Sequence, residues 1–134
     1  MIRLDSTTFV SPQITAADVA EAAASGVKTI INNRPDGEEP GQPTSAEIEA
    51  AAEAAGLAYR HIPVAGGFSQ AQVEAMAEAL EHGPALAFCR SGTRSTYLWA
   101  LARARQGEEA QTIVRAAAEA GYDLRPILPY LTSR

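Results

Sequence analysis

One cysteine, Cys89, stands between a wholly apolar run, Pro84 to Phe88, and the polar segment Arg90-Ser91-Gly92-Thr93-Arg94-Ser95. A thiol at the end of an apolar strand, before a small polar turn that opens a helix, is placed for nucleophilic chemistry. The backbone N–H groups of such a turn curl into a nest that holds an anion, and the helix N-terminus adds positive potential. Gly92 allows the positive φ that a tight cradle needs. Arg94 can send a planar fork of donors back across the mouth. Together these groups would draw the thiol pKa down from about 8.5 into a range of about 3.5–7.5, so that Cys89 is a thiolate at neutral pH. Ser95 is expected to cap the following helix and to donate its hydroxyl to the sulfur. Cys89, Arg94 and Ser95 are therefore the expected catalytic residues, with Arg90, Ser91, Gly92 and Thr93 forming the anion-binding loop. A lone cysteine is more commonly a small buried residue, but a buried residue has no need of this polar, doubly basic sequel.

A second group of chemistry-bearing residues lies on the turn-rich segment Asn33 to Gln42, where Arg34, Asp36, Glu38 and Glu39 stand close together. They could bind substrate, supply a proton, hold the loop shut through ion pairs, or merely be solvated. His61 falls on an expected strand and reads as a hydrogen-bonded structural residue. His82, at a helix C-terminus, reads as a favourable dipole partner. Leu98, Trp99, Leu101 and Ala102 recur at helical spacing and read as core. One cysteine and two histidines leave little for a metal site, and none is expected; nor is any cofactor.

The elements that must position these groups alternate along the chain. An opening extended stretch covers Ile2 to Val10. Thr15, with Asp18 in the capping-box position, starts a helix that runs to about Ser25 and stops at Gly26. Val27 to Asn32 is a strand, and Thr44 with Glu47 caps a helix through about Ala55. A strand follows at about Ala58 to Pro63, then a Gly66-Gly67 turn and a helix capped by Ser69 with Gln72 that closes at Gly83. Pro84 to Phe88 suits the centre of a sheet covered on both faces. Further helices are expected from Ser95 to about Arg105, from Glu108 to Ala120, and near Pro126 to Leu131. The alternation predicts an α/β fold: three layers, with a mostly parallel central sheet flanked by helices. In such folds the site lies at the carboxyl ends of the strands, where Cys89 falls.

With 134 residues, 46% of them hydrophobic, the chain is expected to form one domain. A net charge of -5 argues against nucleic acid or an anionic membrane as partner. No apolar run approaches the roughly 18 residues of a membrane span, and the N-terminal residues lack the apolar core of a signal peptide, so a cytoplasmic location is expected.

The segment Cys-Arg-Ser-Gly-Thr-Arg-Ser at 89–95 resembles the active-site loop of the rhodanese sulfurtransferases, in which four residues separate cysteine from arginine and the cysteine carries a persulfide. Protein-tyrosine and dual-specificity phosphatases instead place five residues there, commonly with histidine before the cysteine, where this chain has Phe88. The wider run from TIINNRPDGEE through YRHIPV to CRSGTRSTYLWALA is similar to the bacterial phosphatase-like domains found in beta-lactamase hydrolase-like proteins, over roughly Val10 to Leu124. That resemblance implies a scaffold akin to dual-specificity phosphatases, and members described both as phosphatases and as sulfurtransferases of sulfide and persulfide metabolism. Association with a persulfide dioxygenase or a sulfide quinone oxidoreductase system would follow from the latter.

The two chemistries differ in their demand for a proton donor. A phosphatase needs a general acid for the leaving alkoxide, and in dual-specificity enzymes it lies on the loop after the strand preceding the nucleophile strand. Here that loop, Val64-Ala65-Gly66-Gly67-Phe68, has no carboxylate, which leaves Asp36, Glu38 or Glu39. Sulfane transfer needs no acid. The expectation from sequence is thus a sulfurtransferase moving sulfur from a small-molecule donor through a Cys89 persulfide to a small thiol, sulfite or cyanide. The alternatives are a phosphatase acting on a phosphorylated substrate through phosphocysteine, and a non-catalytic anion-binding module.

Overall fold

The structure, a computed structural model, describes residues 1–132. Five strands form one sheet: β1 (Ile2–Asp5), β2 (Thr8–Ser11), β3 (Thr29–Asn32), β4 (Ala58–His61) and β5 (Ala85–Phe88), in the order β1-β2-β5-β3-β4. Only the β1–β2 pair is antiparallel; β2–β5, β5–β3 and β3–β4 are parallel. The single extended stretch expected at Ile2 to Val10 is therefore a hairpin. Its turn lacks the Asn-Gly or Asp-Gly signature and is made instead by Asp5, whose Oδ1 accepts from the Thr7 N–H at 3.0 Å.

Helices α1 (Ala16–Ala24), α2 (Ser45–Ala54), α3 (Gln70–Ala79), α4 (Thr93–Arg105), α5 (Ala110–Glu119) and α6 (Leu128–Thr132) flank the sheet, with a 3-10 turn at Arg125–Ile127 leading into α6. The reciprocal hydrogen bonds of all three capping boxes are formed, at Thr15 with Asp18, Thr44 with Glu47 and Ser69 with Gln72. Each satisfies backbone donors that a helix start leaves orphaned.

Strand periodicity divides the core into two. Ile30, Leu86 and Phe88 pack with Val19 of α1 and Ile48 of α2 on one face. Their alternating neighbours Ile31, Ala85 and Ala87 pack with Met76 of α3, Leu98 and Trp99 of α4, and Ile113 of α5 on the other. All four residues of β5 are buried, as a central strand covered on both sides requires. Trp99 ties α4 to the hairpin, its Nε1 donating to Asp5 Oδ2 at 2.8 Å beside Arg103 Nε at 3.0 Å.

The register brings the strand ends level. Asn32 and Ser11 both pair with Phe88, and His61 pairs with Asn32, so the segments that follow β2, β3, β4 and β5 converge on one edge. No described helix is long and apolar enough to cross a membrane.

Candidate active site

Cys89 leaves β5 at this edge, fully buried. The chain then turns sharply: the Gly92 N–H comes back to donate to Cys89 Sγ at 3.1 Å. Gly92 itself takes φ +90 and is the N-cap of α4, which starts at Thr93, two residues earlier than expected. Side-chain capping by Ser95 is thereby corrected. Ser95 lies inside the first turn, its hydroxyl wholly buried and without a hydrogen-bond partner among the described residues. A buried unpaired hydroxyl costs free energy unless something in use satisfies it. Ser91 and Thr93 turn toward each other at the rim, Oγ to Oγ1 at 3.1 Å.

Arg94 folds back across the loop. Its Nη1 donates to the Val64 carbonyl at 2.8 Å, after β4, and to Glu38 Oε2 at 2.7 Å, while Nη2 donates to Glu38 Oε1 at 2.8 Å. This bidentate pair fixes the guanidinium plane. The Glu38 carboxylate first, and to a lesser degree the charge of Cys89, push the Arg94 pKa up. Conversely the hydrogen bonds from Arg94, then Arg34, hold the Glu38 carboxyl down at about 2.

The segment between β3 and α2 is a strap over the loop. Arg34, 3% exposed, donates through Nε to Glu38 Oε1 at 2.8 Å, through Nη2 to Glu39 Oε1 at 2.6 Å and through Nη1 to Gln13 Oε1 at 3.0 Å. Glu39 also pairs with Arg90 at 3.0 Å, so both glutamates bridge the strap to arginines of the cysteine loop. Gln42 stitches the strap internally, accepting from the Glu38 N–H at 3.1 Å and donating to the Pro35 carbonyl at 2.9 Å.

The carboxylates proposed as acids are thus accounted for otherwise. Asp36 is engaged at the start of α2, accepting from the Ser45 N–H at 2.7 Å. Glu38 is an ionised anchor for Arg94, and Glu39 is shared by Arg34 and Arg90. His61 bonds the Arg34 carbonyl through Nε2 at 2.9 Å, the structural position expected of it. Among the described residues no group of three or more potential ligands could hold a metal ion. Sequence reasoning passed over Gln13, Gln42 and Tyr122, whose hydroxyl donates to the Ser91 carbonyl at 3.1 Å. All three act across long separations or through the backbone, where no local pattern marks them.

A cysteine loop at the carboxyl edge of a mostly parallel sheet, with an arginine folded back over it, defines the class of protein-tyrosine and dual-specificity phosphatase-like folds. The chain belongs within that class to the family of beta-lactamase hydrolase-like protein phosphatase-like domains, whose sequence model matches residues 2–106. The beta-lactamase hydrolase-like protein of Agrobacterium fabrum is 42% identical over 111 residues, covering 79% of this chain and 25% of that protein. The chain therefore spans about a quarter of the length of that curated relative. A phosphatase candidate from Neisseria meningitidis Z2491 superposes with a TM-score of 0.84 at 38% identity, over 98% of this chain and 96% of that one. PTPMT1 shares the fold, with a TM-score of 0.75 at 16% identity over 98% and 91% of the two chains.

Proposed function

We propose that this domain is a cysteine-dependent phosphatase-type hydrolase. The observation that carries the reading is the buried Cys89 sulfur held by the Gly92 N–H, with the Arg94 guanidinium of the same loop fixed by Glu38 and the Val64 carbonyl, on an otherwise phosphatase-like fold. The family and its structural neighbours support phosphoryl chemistry over the sulfur transfer expected from loop length. Cys89 Sγ attacks phosphorus in line with the ester oxygen, the alkoxide or phenoxide leaves, and water then cleaves the phosphocysteine to release phosphate and regenerate the thiol. The loop amides and Arg94 stabilise the charge on the equatorial oxygens. The buried Ser95 hydroxyl, which is not bonded to the sulfur in this structure, would have to turn to Cys89 to stabilise it as a leaving thiolate.

Among the described residues no carboxylate stands ready to protonate the leaving oxygen, because Val64 to Phe68 has none and Glu38 is held ionised. The reading therefore favours esters whose leaving groups are stable as anions. A series of aryl phosphates tests it: hydrolysis must depend on Cys89 and fall steeply as leaving-group pKa rises. Flat dependence on leaving group would mean an acid is present; no Cys89-dependent phosphate release with any ester would sink the reading.

The same missing acid favours a second reading, sulfur transfer. Here Cys89 Sγ attacks the outer sulfur of thiosulfate, sulfite departs with the bonding electrons, and an external thiolate takes the sulfane sulfur from the Cys89 persulfide. A one-sulfur mass gain on the parent, absent from Cys89→Ser, tests it. A binding module without turnover would instead hold phosphate equally well in both proteins.

A further inference from the structure

The Ser91–Gly92 peptide is gripped from both sides. Its N–H donates to Cys89 Sγ at 3.1 Å, and its carbonyl accepts from the Tyr122 hydroxyl, also at 3.1 Å. In a planar trans peptide the two groups point in opposite directions, so Tyr122 and Cys89 together fix one orientation of that plane. The phenol also fills the space beside Gly92: a Cβ built on Gly92 would collide with the Tyr122 hydroxyl. Tyr122 is partly buried against the α4–α5 core and is held at its backbone by an N–H bond to the Ala117 carbonyl at 2.8 Å. It lies in the segment after α5, outside the residues 2–106 that the family model matches.

We propose that Tyr122 is a positioning residue for the nucleophile. Its O–H bonds the Ser91 carbonyl, turns that carbonyl away from the anion site, and aims the Gly92 N–H at the sulfur. A chain of hydrogen bonds, phenol to carbonyl and amide to sulfur, is mutually polarising, so the phenol strengthens the N–H bond to a Cys89 thiolate without touching it. The electrostatic link is visible from the other end: burial first, and then the Cys89 charge, raise the Tyr122 pKa, which keeps the phenol a donor. Without the hydroxyl the peptide can rotate and present its carbonyl to the anion site, where it would repel both thiolate and substrate.

The inference rests on Cys89 reacting as a thiolate in an anion site, which either chemistry requires. The experiment is alkylation of Cys89, the only thiol, by iodoacetamide from pH 5 to 9, with and without inorganic phosphate, in the parent and in Tyr122→Phe. The expected result is a rate at about pH 6 lowered roughly five- to tenfold in the variant. The rates converge at high pH, and phosphate protection weakens by a similar factor while the melting temperature stays close to the parent's. A reactive, phosphate-protected parent with an unchanged variant profile overturns the inference alone. A parent unreactive at neutral pH and unprotected by phosphate overturns the thiolate reading, and the inference with it. Should Tyr122→Phe fail to fold, the intact protein still decides. The Tyr122 Cζ resonance should shift as Cys89 ionises and not in Cys89→Ser, and a Tyr122 signal indifferent to Cys89 overturns the proposal.

Discussion

At the scale of single residues, the site is a set of groups that each do one thing. Glu38 holds Arg94 and is itself held ionised, so Glu38→Gln replaces the ionic pair with a single neutral acceptor beside the Val64 carbonyl. We predict a KM raised about tenfold or more in phosphate ester hydrolysis, with a smaller change in kcat, because the loss falls on anion positioning. The pH dependence has a definite sign. A carboxyl whose pKa falls from 4.5 unfolded to about 2 folded contributes stability that is complete above about pH 4.5 and lost as pH falls toward 2. Melting temperatures of the parent should decline across that window, and those of Glu38→Gln should decline less; parallel curves would contradict the assignment.

Ser95 allows a separation of stability from function. Its buried hydroxyl has no partner among the described residues, so Ser95→Ala should leave stability unchanged or slightly improved. Turnover should drop about tenfold or more if the hydroxyl serves the sulfur, as read by denaturant melts beside steady-state kinetics. A destabilised but fully active variant would assign Ser95 to the fold alone.

At the scale of elements, the strap from Asn33 to Gln42 is organised by one buried cation. Arg34→Met removes three donors from Gln13, Glu38 and Glu39 at once. Breaking a buried pair costs about 3–5 kcal/mol, but the two glutamates keep partial access to water and to the loop arginines, so about 1–3 kcal/mol is expected from urea unfolding. Thr44→Ala should cost about 1 kcal/mol through the lost capping box.

These elements show what the sequence made legible. Capping boxes, the β5 strand and the cysteine loop are local, and their residue spacing sufficed to find them. The Glu38–Arg94 pair spans 56 positions, and nothing near either residue selects the other. Asp36 looked as available as Glu38 because only the three-dimensional path of the strap sends one to α2 and the other to Arg94. Ser95 looked like a cap because serine is a good one; the tight turn at Cys89 instead gave the N-cap to Gly92, the residue that tolerates φ +90.

At the scale of the whole molecule, the two apolar layers hold the strand ends level and so hold the cysteine loop against the strap. Phe88, wholly buried on the α1–α2 face, pairs with both Ser11 and Asn32 and directly precedes Cys89. Phe88→Ala should destabilise by about 3–5 kcal/mol and lower activity by loosening the strand that presents the thiol. Alternation along the sequence predicted the layers and the mostly parallel order. It did not predict the hairpin, whose pairing depends on an Asp5 turn and on Trp99 reaching it from α4.

The most direct test of the central claim is intact-protein mass spectrometry of acid-quenched mixtures of the parent and Cys89→Ser with an activated aryl phosphate. A phosphoryl adduct is expected on the parent alone, appearing before steady-state release of phosphate. No adduct and no Cys89-dependent phosphate release, together with a one-sulfur gain from thiosulfate on the parent, would contradict phosphoryl transfer and assign the loop to sulfur chemistry.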